Sequence, residues 1–78
     1  MHYVYILRSG LDSKLYTGYT SNLRKRIKAH SAGDVISTKN RRPLELIYYE
    51  AYIEKSNALR REKFLKTTKG KAQLKKQL

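Results

Sequence analysis

The chain has 78 residues, which leaves room for one domain and one modest hydrophobic core. Lysine and arginine outnumber aspartate and glutamate 18 to 6 along the whole length, so a polyanion is the default partner, nucleic acid first and an anionic membrane surface second. The absence of cysteine excludes disulfides, thiolate metal sites and zinc fingers and fits a reducing compartment; the amino terminus lacks the order of a signal peptide. The expectation is a soluble, cytoplasmic protein with one domain over residues 1–78.

From His2 to Arg8, β-branched and aromatic residues alternate as in a strand. Ser9, Gly10, Leu11, Asp12 and Ser13 supply turn chemistry, and Lys14 to Thr20 is again rich in strand formers. Pairing Arg8 with Ser13 across a four-residue loop sets Tyr5 directly opposite Tyr16, on one face. Ser21 or Asn22 can cap a helix carrying Leu23, Ile27 and His30, which Gly33 ends. Residues 34–43 are polar and without period and read as a loop. Leu44 to Tyr52 reads as a third strand, with Leu46, Tyr48 and Glu50 on one side and Ile47, Tyr49 and Ala51 on the other. Ser56 can cap a second helix reaching about Thr67, and Lys69 to Leu78 reads as a third after a break near Gly70.

Glu62 is the most informative residue: it is the only acid after Glu54, in a segment holding nine basic residues. A helix from Asn57 puts Ala58, Glu62 and Leu65 on one inward stripe, where a carboxylate is costly unless paired. Two pairings are open, a salt bridge to a nearby arginine or ligation of a hard cation such as Mg²⁺. Arg26 borders the stripe of Leu23 and His30; it either snorkels to solvent or captures a phosphate with its planar fork. His30 alone fits a satisfied, partly buried histidine as well as a catalyst. Most of the tyrosines suit strand surfaces, but the hairpin brings Tyr5 and Tyr16 together, and surrounding positive charge lowers a phenol's pKa.

These residues also match a known pattern. Tyr3-Val4-Tyr5 followed by Tyr16-Thr17-Gly18, with Tyr16 eleven residues after Tyr5, resembles the paired motifs of the GIY-YIG endonuclease superfamily. Arg26 and His30 stand ten and fourteen residues after Tyr16, where the family has its helix arginine and a following His or Tyr. Ala58-Leu59-Arg60-Arg61-Glu62-Lys63 resembles the helix that carries the family's metal-binding glutamate. The likeness spans nearly the whole chain and is nearest to small stand-alone bacterial members, related to the amino-terminal nuclease domain found in the excinuclease ABC system. Three positions depart from the pattern: the first motif lacks its glycine, only Gln73 and Gln77 stand where larger members carry an asparagine, and Tyr19 occupies a position that is lysine in some.

The resemblance implies an α+β fold, a three-stranded antiparallel sheet flanked by helices. It implies a metal-dependent DNA endonuclease, acting in DNA repair or processing, with structured or damaged DNA among its candidate substrates. Tyr16 would be general base, Tyr5 would position water or phosphate, His30 would assist, Arg26 would stabilise phosphoryl charge, and Glu62 would hold one Mg²⁺ or Mn²⁺. A two-metal nuclease is disfavoured because Asp12, Asp34, Glu45, Glu50, Glu54 and Glu62 are scattered. The main alternative is a non-catalytic nucleic-acid-binding module, which uses the same charge and the tyrosines for phosphate contact and stacking. A membrane-surface role ranks third, since the basic helices lack a large aromatic apolar face.

Overall fold

The computed structural model describes residues 1–78 and makes strands of the three stretches rich in strand formers: β1 (His2–Ser9), β2 (Leu15–Thr20) and β3 (Leu44–Tyr52), antiparallel in the order β2-β1-β3. The helices are α1 (Leu23–Ala32), α2 (Lys55–Leu65) and α3 (Thr68–Gln77), so the α+β expectation holds. As the middle strand, β1 is covered on both faces, and Val4, Tyr5, Ile6 and Leu7 are all buried. Val4 and Ile6 pack with Ala58 and Leu65 of α2 and Leu74 of α3. Tyr5 and Leu7 alternate to the opposite face, where Tyr5 meets His30 of α1.

The hairpin register differs from expectation by two residues: Tyr5 faces Gly18, and Tyr16 faces Leu7. The loop does hold four residues, but they are Gly10 to Ser13, closed by the Ser9 amide on the Lys14 carbonyl at 3.0 Å. Ser13 takes the left-handed conformation (φ 60°) that turns the chain, and Ser9 is held as strand by its hydroxyl, which donates to the Arg41 carbonyl at 2.7 Å. A shift of two keeps every side chain on its expected face, so Tyr5 and Tyr16 remain neighbours, with ring centroids 6.4 Å apart.

The expected sidedness of β3 is corrected at its start. Leu46 lies opposite Leu7 but Tyr48 opposite Ile6, because the register against β1 shifts at this point. The extra residue is a β-bulge. It lets Ile47 and Tyr48, consecutive in sequence, both pack against the core of Val4 and Ile6, and it sends Leu46 to the α1 face.

Asn22 caps α1 by accepting from the Lys25 amide, and Gly33 ends the helix with φ 82°. The second helix begins at Lys55 rather than after Ser56, with no side-chain cap, and ends at Leu65. The break falls at Lys66 and Thr67, where the Thr67 side chain accepts from the Gly70 amide. Gly70 thus lies inside α3. Its role is close approach: a Cβ there would collide with the Phe64 carbonyl oxygen at the end of α2. No helix is long and apolar enough to cross a membrane.

Candidate active site

Tyr5 is buried at the middle of the sheet, and its ring lies across Gly18, where a Cβ would collide with the phenol oxygen. The second motif therefore needs its glycine so that the first motif's tyrosine can reach over β2. Beyond Gly18 the Tyr5 oxygen meets two nitrogens of α1: His30 Nε2 at 2.8 Å and Arg26 Nε at 3.4 Å. The imidazole lies edge-on to both phenols, with centroids 5.5 Å from Tyr5 and 5.3 Å from Tyr16. Tyr16 is only half-buried, and its oxygen accepts from Ser37 Oγ at 3.4 Å.

Tyr5, Tyr16, Arg26 and His30 thus form one cluster, divided by depth. Tyr5 and His30 are closed off from solvent while Arg26 and Tyr16 reach it, and the buried Tyr5 oxygen accepts from Arg26. Burial pushes the Tyr5 phenol above its ordinary pKa despite the opposing hydrogen bond from Arg26; the nearby Tyr16 and the negative charge of Glu62 raise it further. The charge surplus therefore does not make Tyr5 acidic, since desolvation outweighs it here. Burial, with the adjacent Arg26 cation, holds His30 below its ordinary pKa, and the ring is neutral at pH 7.

A residue that the sequence did not single out partners the other nitrogen of that ring. Thr38 is fully buried, and its Oγ1 lies 2.7 Å from His30 Nδ1. The neutral ring donates through one nitrogen and accepts through the other, so the two hydroxyls take opposite roles toward it. Thr38 and Tyr5 are thereby coupled through His30: one hydroxyl donates to the ring and the other accepts from it. The Tyr5 oxygen also accepts from Arg26 Nε. Thr38 lies just before the turn Lys39–Arg41, in a segment without period, so only the closing of the chain brings it to α1.

Glu62 lies on the expected stripe of α2, between the buried Ala58 and Leu65, with its side chain 21% exposed. Its ionic partner is Lys66, one helical turn on at 3.2 Å. Arg61 of α2 pairs instead with Glu50 of β3, which also accepts from the hydroxyls of Tyr48 and Tyr52. No group of three or more His, Cys, Asp or Glu gathers to enclose a metal. A single carboxylate does suit a hard cation that keeps water and takes its other ligands from phosphate.

Residues 1–77 match the family model described as the GIY-YIG catalytic domain. The chain is 48% identical over 75 residues to a UPF0213 protein of Staphylococcus haemolyticus, covering 95% of this chain and 90% of that one. It is 45% identical over 67 residues to a UPF0213 protein of Natronomonas pharaonis, covering 85% and 78%. The solution NMR structure of a UPF0213 protein from Bacillus halodurans superposes with a TM-score of 0.59 at 39% identity, over 94% of this chain and 80% of that one. With the tyrosine, arginine and histidine cluster on the sheet and a match from end to end, the chain belongs to the GIY-YIG family, whose domain is a nuclease domain and implies a nucleic-acid substrate.

Proposed function

We propose that the chain is a metal-dependent DNA endonuclease that hydrolyses a backbone phosphodiester at the Tyr16 and Arg26 surface. The observation that carries this reading is the convergence of Tyr5, Tyr16, Arg26 and His30 into one hydrogen-bonded cluster, within electrostatic reach of Glu62. A cluster serving only the core has no use for an arginine held at the surface by a buried phenol.

In this reading Arg26 receives the non-bridging oxygens of the phosphate and stabilises the charge that grows on them during attack. Tyr5 and His30 hold the guanidinium in place, and Thr38 holds His30. Tyr16, whose phenol is open to solvent, acts as general base in its phenolate form: it takes the proton of the attacking water, and solvent water supplies the proton of the leaving 3′ oxygen. Attack in line with the 3′ oxygen leaves a 5′ phosphate and a 3′ hydroxyl. Glu62 would hold the divalent ion, Mg²⁺ or Mn²⁺, which when bound supplies Lewis-acid polarisation of the phosphate and stabilises the leaving oxygen. To take that role the carboxylate exchanges Lys66 for the cation.

The second reading is a non-catalytic nucleic-acid binder, and the Glu62–Lys66 ion pair favours it because it gives the carboxylate a structural partner. One variant separates the two. Labelled branched, nicked and single-stranded DNA is incubated with wild type and Glu62→Gln, with and without Mg²⁺ or Mn²⁺, alongside DNA affinity and thermal midpoint. The enzyme reading expects metal-dependent cleavage by wild type alone, with equal or slightly higher DNA affinity and an unchanged midpoint in the variant. Full cleavage by Glu62→Gln removes this residue as the metal ligand; no cleavage by wild type with either metal leaves the binder.

A further inference from the structure

A second concave surface lies on the β3 side of α1. Tyr3, Leu23, Ile27, Leu46 and Tyr49 line a groove of about 570 Å³, and Arg24 and Lys28 stand at its rim. Tyr49 is 52% exposed and meets Tyr3 edge-on at 6.1 Å, so a large part of its ring is open. Neither Arg24 nor Lys28 forms an ion pair. An open aromatic ring in an apolar groove edged by unpaired cations matches the two halves of a nucleotide, a flat base and an anionic phosphate.

The groove adjoins the catalytic side. Ser21 and Asn22 border both it and the cleft that contains Lys25 and Arg26, so the two depressions flank the first turn of α1. A strand with its phosphate on Arg26 passes over that turn with basic side chains on either hand. We infer that the groove of Tyr3 and Tyr49 receives an unpaired nucleobase flanking the cleaved phosphate, so that the substrate is DNA with an unpaired stretch beside the cut. A base in a continuous duplex keeps its stacking faces covered by its neighbours, whereas an unpaired base can turn out and stack on the protein. The inference rests on the preceding reading for the position of the phosphate at Arg26.

The test uses Glu62→Gln protein in EDTA, so that binding is measured without cleavage. Two DNAs with equal numbers of phosphates are compared, a blunt duplex and a duplex with a single-stranded overhang. The overhang DNA should bind about fivefold or more tightly than the blunt one, the scale of one base stacked on one aromatic ring. Adding Tyr49→Ala should abolish that preference with blunt-duplex affinity unchanged, and Tyr49→Trp should keep it because only a flat ring is required. A preference that survives Tyr49→Ala overturns the inference, as does an equal fall in affinity for both DNAs. A wild-type dimer in sedimentation that Tyr49→Ala dissociates would assign the groove to a second copy of the chain and overturn it as well. Binding to neither DNA would sink the nuclease reading and this inference together.

Discussion

Glu50 receives Arg61 through two parallel bonds, Nε at 3.0 Å and Nη2 at 3.1 Å, and this pair ties β3 to α2 on the side of the sheet away from the tyrosine cluster. Burial alone would raise the carboxyl, but the hydrogen bonds from Arg61, Tyr48 and Tyr52 outweigh it and hold Glu50 below the usual carboxylate range. Burial, with the bond to Glu50, pushes the Tyr52 phenol up to about 12, so it stays a donor into alkaline solution. The α2 helix therefore has its structural anchor without Glu62. Arg61→Ala strands a largely buried carboxylate and should cost about 2 kcal/mol in urea unfolding. Lys66→Ala, which breaks a single bond from a half-exposed lysine, should cost about 0.5 kcal/mol or less. Comparable losses in the two variants would show that the Glu62 pair carries structural weight.

The tautomer of His30 gives a second prediction. In ¹⁵N-detected NMR near neutral pH the ring should hold its proton on one nitrogen only. Thr38→Val deletes the partner of Nδ1 at nearly constant volume, should cost about 1–2 kcal/mol in stability, and should lower cleavage through poorer placement of Arg26 with KM little changed. Thr38→Ser restores the hydroxyl and should restore the tautomer. A wild-type ring that exchanges between the two tautomers would mean that Thr38 does not hold it.

The depressed pKa of His30 has a defined consequence for stability. Below the ordinary histidine pKa of about 6.5 the unfolded chain binds a proton that folded His30 refuses, so stability falls with pH from there down to the folded pKa. Above about 6.5 the contribution is complete. The carboxylates act lower: Glu50, whose folded pKa is depressed, loses its contribution only as pH falls below the ordinary carboxylate value. Thermal midpoints from pH 7.5 to 5 should therefore decline in wild type, and in His30→Gln start lower and vary less. Equal slopes would mean that another group controls this range.

Gly18 is the steric condition for the site. Gly18→Ala drives a methyl group into a buried ring held by His30 and Arg26, which should cost about 1–3 kcal/mol and displace Arg26. Combining it with Tyr5→Leu, which vacates the space, should recover part of the stability but none of the cleavage, a non-additive pair. Additive losses would mean that the ring does not occupy the glycine's space in solution.

The sequence by itself determined the strands, the first helix with its Asn22 cap and Gly33 terminus, the inward stripe of Glu62, and the common face of Tyr5 and Tyr16. Each depends on local periodicity or on a motif a few residues long, and the face survived a register error because a slip of two preserves alternation. Tertiary structure alone decided the rest. The bulge at Ile47 breaks the alternation of β3 because the two faces of β1 demand different partners there, and a period read along one strand carries no information about the strand beside it. Glu50 rather than Glu62 took the arginine because Arg61 turns toward β3, a contact across eleven residues. Thr38 entered the site for a similar reason: a buried ring nitrogen needs a partner, and the loop that supplies it is placed by chain closure and not by any pattern of its own.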